Sequence, residues 1–194
     1  AIIVPGGFGN DGAKGKLAAI KYAREKDIPF LGICLGMQLA VIEFAENMSD
    51  IISPYAIELG EIKSGSQIIG LMRQWRNKDK LEIRGEDSDL GGSMRLGSYK
   101  CVLKEDSRIR KIYKKSIIEE RHRHRYEVNV NYLEQLEKSG IVFSGMSPDG
   151  KLPEIMELPK QKFHIGVQFH PEFKSYPFKP HPLFLELISS AING

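Results

Sequence analysis

Two cysteines in 194 residues are too few to build a disulfide framework, so the fold cannot depend on covalent staples. No apolar run approaches the length that crosses a bilayer, which leaves no candidate membrane span. The charge is nearly balanced, 28 basic against 25 acidic residues for a net +3, and this argues against nucleic acid or a membrane surface as partner. No secretory leader is expected, and a reducing, cytoplasmic setting that sustains a free thiolate is the expectation. What is present is ordinary globular composition, 41% hydrophobic and 27% charged, enough for one domain spanning 1–194 with a substantial core. The chain opens on Ala1-Ile2-Ile3-Val4, directly in a strand and without methionine, which reads as a piece of a longer chain.

The chemistry concentrates first at Gly32-Ile33-Cys34-Leu35-Gly36. Phe30 to Ile33 is strand-like, and Met37 to Ala45 is almost continuously apolar without Gly or Pro, which suits a buried helix. A strand-turn-helix carrying G-x-C-x-G puts its central side chain on a sharp turn, with glycines that permit close backbone packing. Cys34 then sits at the positive end of a helix, where thiolate is favoured over thiol. The alternative is one more buried structural cysteine.

Upstream, Pro5-Gly6-Gly7-Phe8-Gly9 follows the first strand, and Ala13 to Lys26 carries Leu17, Ile20 and Ala23 at helical spacing. Strand, loop, helix, strand, helix is the βαβα order, whose two strands are expected to be parallel and close. The Gly6-Gly7 loop and Cys34 then share the carboxyl edge of the sheet, where open α/β folds carry their sites. Backbone N–H groups of Gly7 and Leu35 can converge there as an oxyanion hole. A plain turn and a phosphate loop are the alternatives, and no Lys-Ser/Thr pair follows in the Walker pattern.

From Met48 to about Val130 the pattern reads as short strands and polar turns: Ser66 to Met72, Leu81 to Arg84, a glycine-punctuated loop from Asp89 to Gly97, then Tyr99 to Leu103. Cys101, with no elbow and no helix behind it, is assigned to structure. In Glu120-Arg121-His122-Arg123-His124-Arg125-Tyr126-Glu127-Val128, a period of two separates the arginines from His122 and His124. A solvated charged strand, a metal site through the histidines and a carboxylate-binding strand through an arginine all fit. No cysteine or further histidine at ligand spacing supports zinc, and no metal residue is assigned. Asn131 to Lys138 reads as helix, and Ile141 to Ser147 with Leu152 to Leu158 as a hairpin about Ser147-Pro148-Asp149-Gly150.

Phe163 to Phe169 alternates, with Phe163, Ile165, Val167 and Phe169 on one face and His164, Gln168 and His170 on the other. His170 and Glu172 end that strand two residues apart, with Pro171 fixing the exit. A closing amphipathic helix is expected over Leu183 to Ile192. A cysteine elbow, a distant histidine and a neighbouring carboxylate are the parts of a thiolate–imidazole–carboxylate triad for acyl transfer.

The runs P-G-G-F-G, G-I-C-L-G-M-Q, L-G-G-S-M-R-L-G, E-R-H-R-H-R-Y-E-V-N and V-Q-F-H-P-E-F, in this order, resemble the class I glutamine amidotransferase domain of the CTP synthase family. The resemblance covers the whole chain. It implies an α/β, flavodoxin-like, mostly parallel sheet with flanking helices and an added set of antiparallel strands. It matches Cys34, His170 and Glu172 to the catalytic triad and Gly7 with Leu35 to the oxyanion hole. Glutamine contacts fall on Gly7, on Leu35-Gly36-Met37-Gln38, on Glu58 and on Arg125, the last facing the substrate α-carboxylate. The implied reaction is hydrolysis of L-glutamine to glutamate, with ammonia passed to a synthetase (amidoligase) domain that aminates ATP-activated UTP. No cofactor is implied in this domain; ATP, UTP, Mg²⁺ and the activator GTP belong to the complete enzyme, as does a homo-oligomer formed through the synthetase domain. Alternatives are another class I amidotransferase, a γ-glutamyl hydrolase, or a catalytically silent regulatory domain. Two departures from the family stand out. Ser53-Pro54-Tyr55-Ala56-Ile57-Glu58 replaces the usual N-A-N-S-T-E, and Ser93 stands where the family has threonine. The opening strands of the domain and the synthetase domain are expected to lie outside these residues.

Overall fold

The computed structural model describes residues 1–10, 12–56, 65–71 and 94–193. Glu58, Ser93 and the candidate strand Leu81 to Arg84 lie outside the described residues.

The expected βαβα opening is present as β1 (Ile2–Val4), α1 (Ala13–Glu25), β2 (Phe30–Ile33) and α2 (Leu35–Met48). β1 and β2 pair in parallel, with Val4 opposite Gly32. β2 is buried on both faces, which explains why its sequence runs apolar rather than alternating. Helix α2 is buried from Leu35 to Ala45, and its one buried charge, Glu43, is held by the Arg24 guanidinium of α1 at 2.7 and 2.8 Å. That fork fixes α1 against α2 while neutralising the carboxylate.

The remaining strands are β3 (Tyr55–Ala56), β4 (Gln67–Leu71), β5 (Arg95–Leu103), β6 (Ile117–His124), β7 (Tyr126–Val128), β8 (Val142–Met146), β9 (Pro153–Glu157) and β10 (His164–Val167). Between them lie α3 (Arg108–Tyr113) and α4 (Leu133–Lys138), and α5 (Pro182–Ile192) closes the described chain. A seven-stranded sheet has the order β1-β2-β10-β9-β8-β5-β6, and β3-β4-β7 form a second, small sheet. Within the seven-stranded sheet β1/β2 and β2/β10 are parallel neighbours and every pair from β10 to β6 is antiparallel, while in the small sheet β3/β4 are parallel and β4/β7 antiparallel. Following these pairings, β1, β2, β10, β8 and β6 run one way and β9 and β5 the other, so five of seven strands share a direction. The added antiparallel strands are thus continuous with the parallel set.

Alternation assigns the two cores. Phe30 packs with α1 and α2 on one side; Leu31, Ile33, Ile165 and Val167 pack with α3 and α5 on the other. The β8–β9 hairpin forms where its turn signal lies, with Val142 opposite Glu157. Strand β5 starts at Arg95, four residues before the expected Tyr99. The reason is tertiary: Arg95 is buried between Glu127 and Glu154, and its pairing with His124 extends the ladder through residues of loop-like composition.

In a flat sheet β6, four positions beyond β10, would lie about 19 Å from it. Instead the Arg121 carbonyl accepts from the His170 N–H at 2.8 Å, immediately after β10. The sheet therefore curls until its far edge returns to the carboxyl ends of β2 and β10.

Candidate active site

Cys34 occupies a backbone conformation that L-residues rarely adopt, φ 53° and ψ −106°, at the N-cap of α2. Such a conformation costs about 1–3 kcal/mol and persists only where the surroundings enforce it. Here they do. A Cβ on Gly32 would lie 2.7 Å from the Gly36 carbonyl carbon and oxygen, and one on Gly36 would lie 2.0 Å from the Val4 oxygen. The two glycines let β1, β2 and the first turn of α2 touch backbone to backbone, while the Cys34 N–H donates to the Val167 oxygen at 2.7 Å. The nucleophile candidate is thus pinned from both neighbouring strands at the positive end of a 14-residue helix.

The loop after β10 brings the next two candidates. Pro171 opens a short 3₁₀ turn, Pro171–Lys174, and His170 Nδ1 meets Glu172 Oε1 at 2.6 Å. A carboxylate only accepts, so Nδ1 carries the proton, and in the neutral ring Nε2 presents a lone pair. Nε2 is buried and without a hydrogen-bond partner among the described residues. The imidazole stacks on Phe173 with centroids 5.0 Å apart, which further fixes the ring.

Gly6 joins these parts. A Cβ at this position would meet His170 Cε1 at 2.9 Å and Cys34 Cβ at 3.4 Å, so the glycine loop, the cysteine and the histidine share one small space. A Cβ on Gly7 would touch the Leu35 side chain at 3.4 Å, placing the two oxyanion-hole candidates against each other. Gly36 and Met37 are buried in the first turn of α2, where Gly36 serves close packing and Met37 core contact with Gly166. Gln38 is also buried, and its amide nitrogen donates to the Tyr126 carbonyl at 3.0 Å and to Gln168 Oε1 at 3.2 Å; its own Oε1 has no partner among the described residues. Arg125 sits half-buried in the bend between β6 and β7, flanked by Arg123, whose carbonyl lies 4.0 Å from Cys34 Sγ, and Tyr126. Glu58 alone among the site candidates lies outside the described residues.

The outer edge of β6 organises this space with period two. The Glu119 carbonyl accepts from the Lys174 ammonium, the Arg121 carbonyl from the His170 N–H, and the Arg123 carbonyl faces Cys34. Behind that edge the other face of β6 buries Glu120, His122 and His124. His122 and His124 share a hydrogen bond at 2.9 Å, and His122 Nε2 lies 3.4 Å from Glu154. Burial holds both rings neutral, pushing His124 down to about 3. Arg95 reaches Glu127 at 3.1 Å and Glu154 at 2.8 Å. One cation facing two buried carboxylates leaves an excess negative charge, and burial pushes Glu127 up to about 8 and Glu154 to about 7. The pair therefore holds a proton near neutrality. Of the three readings of the arginine strand, the histidines are committed to this internal network, whereas Arg121 and Arg123 are exposed.

Reasoning from sequence placed Gly6 beside Cys34 only as part of its loop, and missed the Arg123 carbonyl, the Arg95–Glu127–Glu154 cluster and the contact of Gln168, whose amide nitrogen lies 3.7 Å from Cys34 Sγ. For Gln168 the signal was available, since the alternation that selects His170 selects it too. Two concavities of about 340 and 300 Å³ lie elsewhere, one beside Tyr113 and Lys174 and one over the β8–β9 turn, and neither is lined by Cys34, His170 or Glu172. The site is recognised by its chemistry.

The model of the glutamine amidotransferase class-I family matches residues 1–190. CTP synthases of Pelagibacter ubique and Zymomonas mobilis are 56% and 55% identical over 99% and 100% of this chain. The chain spans about a third of their length, 35% in each case. Among solved structures, the Trypanosoma brucei CTPS glutaminase domain with bound acivicin superposes with a TM-score of 0.85 at 39% identity, over 99% of this chain and 70% of that one. A GMP synthase component from Thermoplasma acidophilum, 16% identical over 98% of this chain and 72% of that one, shares the fold with a TM-score of 0.57. The chain belongs to the class I glutamine amidotransferases, in their CTP synthase branch.

Proposed function

We propose that this chain hydrolyses L-glutamine to glutamate and ammonia, with Cys34 as nucleophile, His170 as base and acid, and Glu172 as the group that orients His170. The observation that carries the reading is the Glu172–His170 pair at 2.6 Å, with its buried Nε2, which has no partner among the described residues, in the same space as a cysteine held on a strained elbow.

Glu172 keeps the proton on Nδ1, so Nε2 takes the thiol proton as sulfur attacks the γ-carboxamide carbon. The tetrahedral oxyanion is met by the Gly7 and Leu35 N–H groups, each worth about 3 kcal/mol where such donors have been removed from other enzymes. His170 then returns the proton to the leaving nitrogen, ammonia departs, and water repeats the cycle on the thioester. Arg125 takes the substrate α-carboxylate as a bidentate fork, and the buried Oε1 of Gln38, without a partner among the described residues, offers an acceptor for the α-ammonium. Glu58 is kept as a further glutamine ligand.

In the complete enzyme the ammonia passes to a synthetase domain that converts UTP to CTP with ATP and Mg²⁺, under activation by GTP, in a homo-oligomer assembled through that domain. No residue of this chain is assigned to those nucleotides or to the metal. No helix among the described residues is long and apolar enough to cross a membrane, and we place the enzyme in the cytoplasm.

The test uses the full-length enzyme with ATP and UTP. Glutamine-dependent CTP formation is expected to disappear in Cys34→Ala while CTP formation from added ammonia persists. Acivicin, the compound bound in the trypanosome domain, is expected to label Cys34. Glutamine-dependent CTP formation that survives Cys34→Ala would refute the reading.

A further inference from the structure

Beside the proposed triad, the side chain of Gln168 reaches the Cys34 sulfur. Gln168 is fully buried, and its Nε2 lies 3.7 Å from Cys34 Sγ, an N–H···S distance. The orientation of its amide follows from its neighbours. The Tyr126 carbonyl can only accept, so Gln38 must present its NH₂ there, at 3.0 Å. The second hydrogen of that NH₂ goes to Gln168 Oε1 at 3.2 Å, which leaves the Gln168 NH₂ facing sulfur. A rotated Gln168 would set two NH₂ groups against each other. The backbone is fixed as well, since the Gln168 N–H donates to the Glu154 carbonyl at 2.8 Å.

The Arg123 carbonyl, 4.0 Å from the sulfur, can accept from S–H but offers nothing to a thiolate. Sulfur thus has within reach both an acceptor suited to the thiol and a donor suited to the anion. N–H donation to an ionised acceptor is about twice as strong as to a neutral one. We propose that Gln168 is a thiolate-stabilising residue, and that Gln38 acts through it as a positioning residue by locking its amide.

The inference rests on the reading of Cys34 as nucleophile, and the test separates the two. In the full-length enzyme, alkylation of Cys34 by iodoacetamide is followed against pH by mass spectrometry of the Cys34 peptide, which keeps buried Cys101 out of the signal. Gln168→Met removes the donor. Gln168→Glu keeps the shape and the acceptor for Gln38 but turns an oxygen toward sulfur. Gln168→Met leaves the ionisable groups around the site unchanged, namely His170 and Glu172 after β10, Arg123 and Arg125 about the end of β6, and His124 beside Tyr126, whereas Gln168→Glu adds a carboxylate to them.

The alkylation midpoint is expected to rise by about one to two pH units in Gln168→Met, a ten- to hundredfold loss of thiolate below both midpoints, and at least as far in Gln168→Glu. Gln38→Met is expected to shift it less, in the same direction. Should Met at this buried position prevent folding, Gln38→Met decides, since the Glu variant raises the midpoint by its charge as well. A reactive wild-type Cys34 with variant profiles superimposed on its own overturns the role of Gln168 and leaves the glutaminase reading intact. A wild-type Cys34 that alkylates at no pH overturns both.

Discussion

Around Gly32, Cys34 and Gly36 the candidate site is held by backbone contact: two missing side chains let three elements touch, and a strained cysteine is the result. Across the curl of the sheet, from Arg95 to Glu154, it is backed by buried charge: one arginine, two carboxylates and two neutral histidines fill the space behind β6. The first device is steric and indifferent to pH; the second is electrostatic and titrates. Together they hold opposite walls of one site, because the edge of β6 that covers the charged cluster also presents its carbonyls to His170 and Cys34.

The largest expected effects fall where the two walls meet. Cys34→Ala and His170→Ala should each lower glutamine-dependent kcat by a factor on the order of 10⁵ to 10⁶, with little change in stability. Glu172→Ala should cost less, on the order of 10³, since the carboxylate is partly exposed and water can replace it at Nδ1. Equal losses in all three would indicate that Glu172 does more than orient the ring.

Next in size is the electrostatic wall. Arg95→Met leaves Glu127 and Glu154 facing each other without a cation and should destabilise by about 3–5 kcal/mol near pH 8, less near pH 6 where both can protonate. Urea unfolding at the two pH values reads the difference. The wild type titrates in both directions. His122, His124 and His164 are held neutral by burial, so the unfolded chain binds more protons below about pH 6.5. Stability should fall as pH drops below that value, by up to about 1.4 kcal/mol per unit for each histidine. The raised carboxylate pair works in the other direction: the folded state holds a proton that the unfolded state has lost, so stability falls again as pH rises toward about 8.

The steric wall should break without any pH dependence. Gly36→Ala drives a methyl group into the Val4 carbonyl and should cost about 3 kcal/mol at either pH. A cost that changed with pH would erase the distinction between the walls. At the small end, Gly15→Ala on the exposed side of α1 meets nothing within 4 Å and should stabilise by up to about 1 kcal/mol. That sign reversal, read by thermal unfolding, marks the elbow glycines as packing devices.

The two walls also differ in how far they can be read from residues alone. The elbow, the βαβα opening, the β8–β9 hairpin and the His170–Glu172 pair were legible because each is coded within a few residues, by glycine spacing, apolar period or a proline exit. Met37 and Gly36 fell correctly into the buried first turn for the same reason. The charged wall was not legible, because Arg95, Glu127 and Glu154 come from three strands and meet only once the sheet curls. Without the curl, Arg95 read as part of a loop and the histidines as one face of a solvated or metal-binding strand. Gln168 lies between these cases: its face was readable, and its partner was not.

The central claim, that Cys34 is the acyl acceptor for glutamine, is tested most directly by acid-quenching the full-length enzyme during turnover and mapping the adduct by mass spectrometry. A γ-glutamyl thioester on the Cys34 peptide, absent in Cys34→Ala, is the expected result. Steady release of ammonia from glutamine with Cys34 unmodified at every quench time, and undiminished in Cys34→Ala, would contradict it.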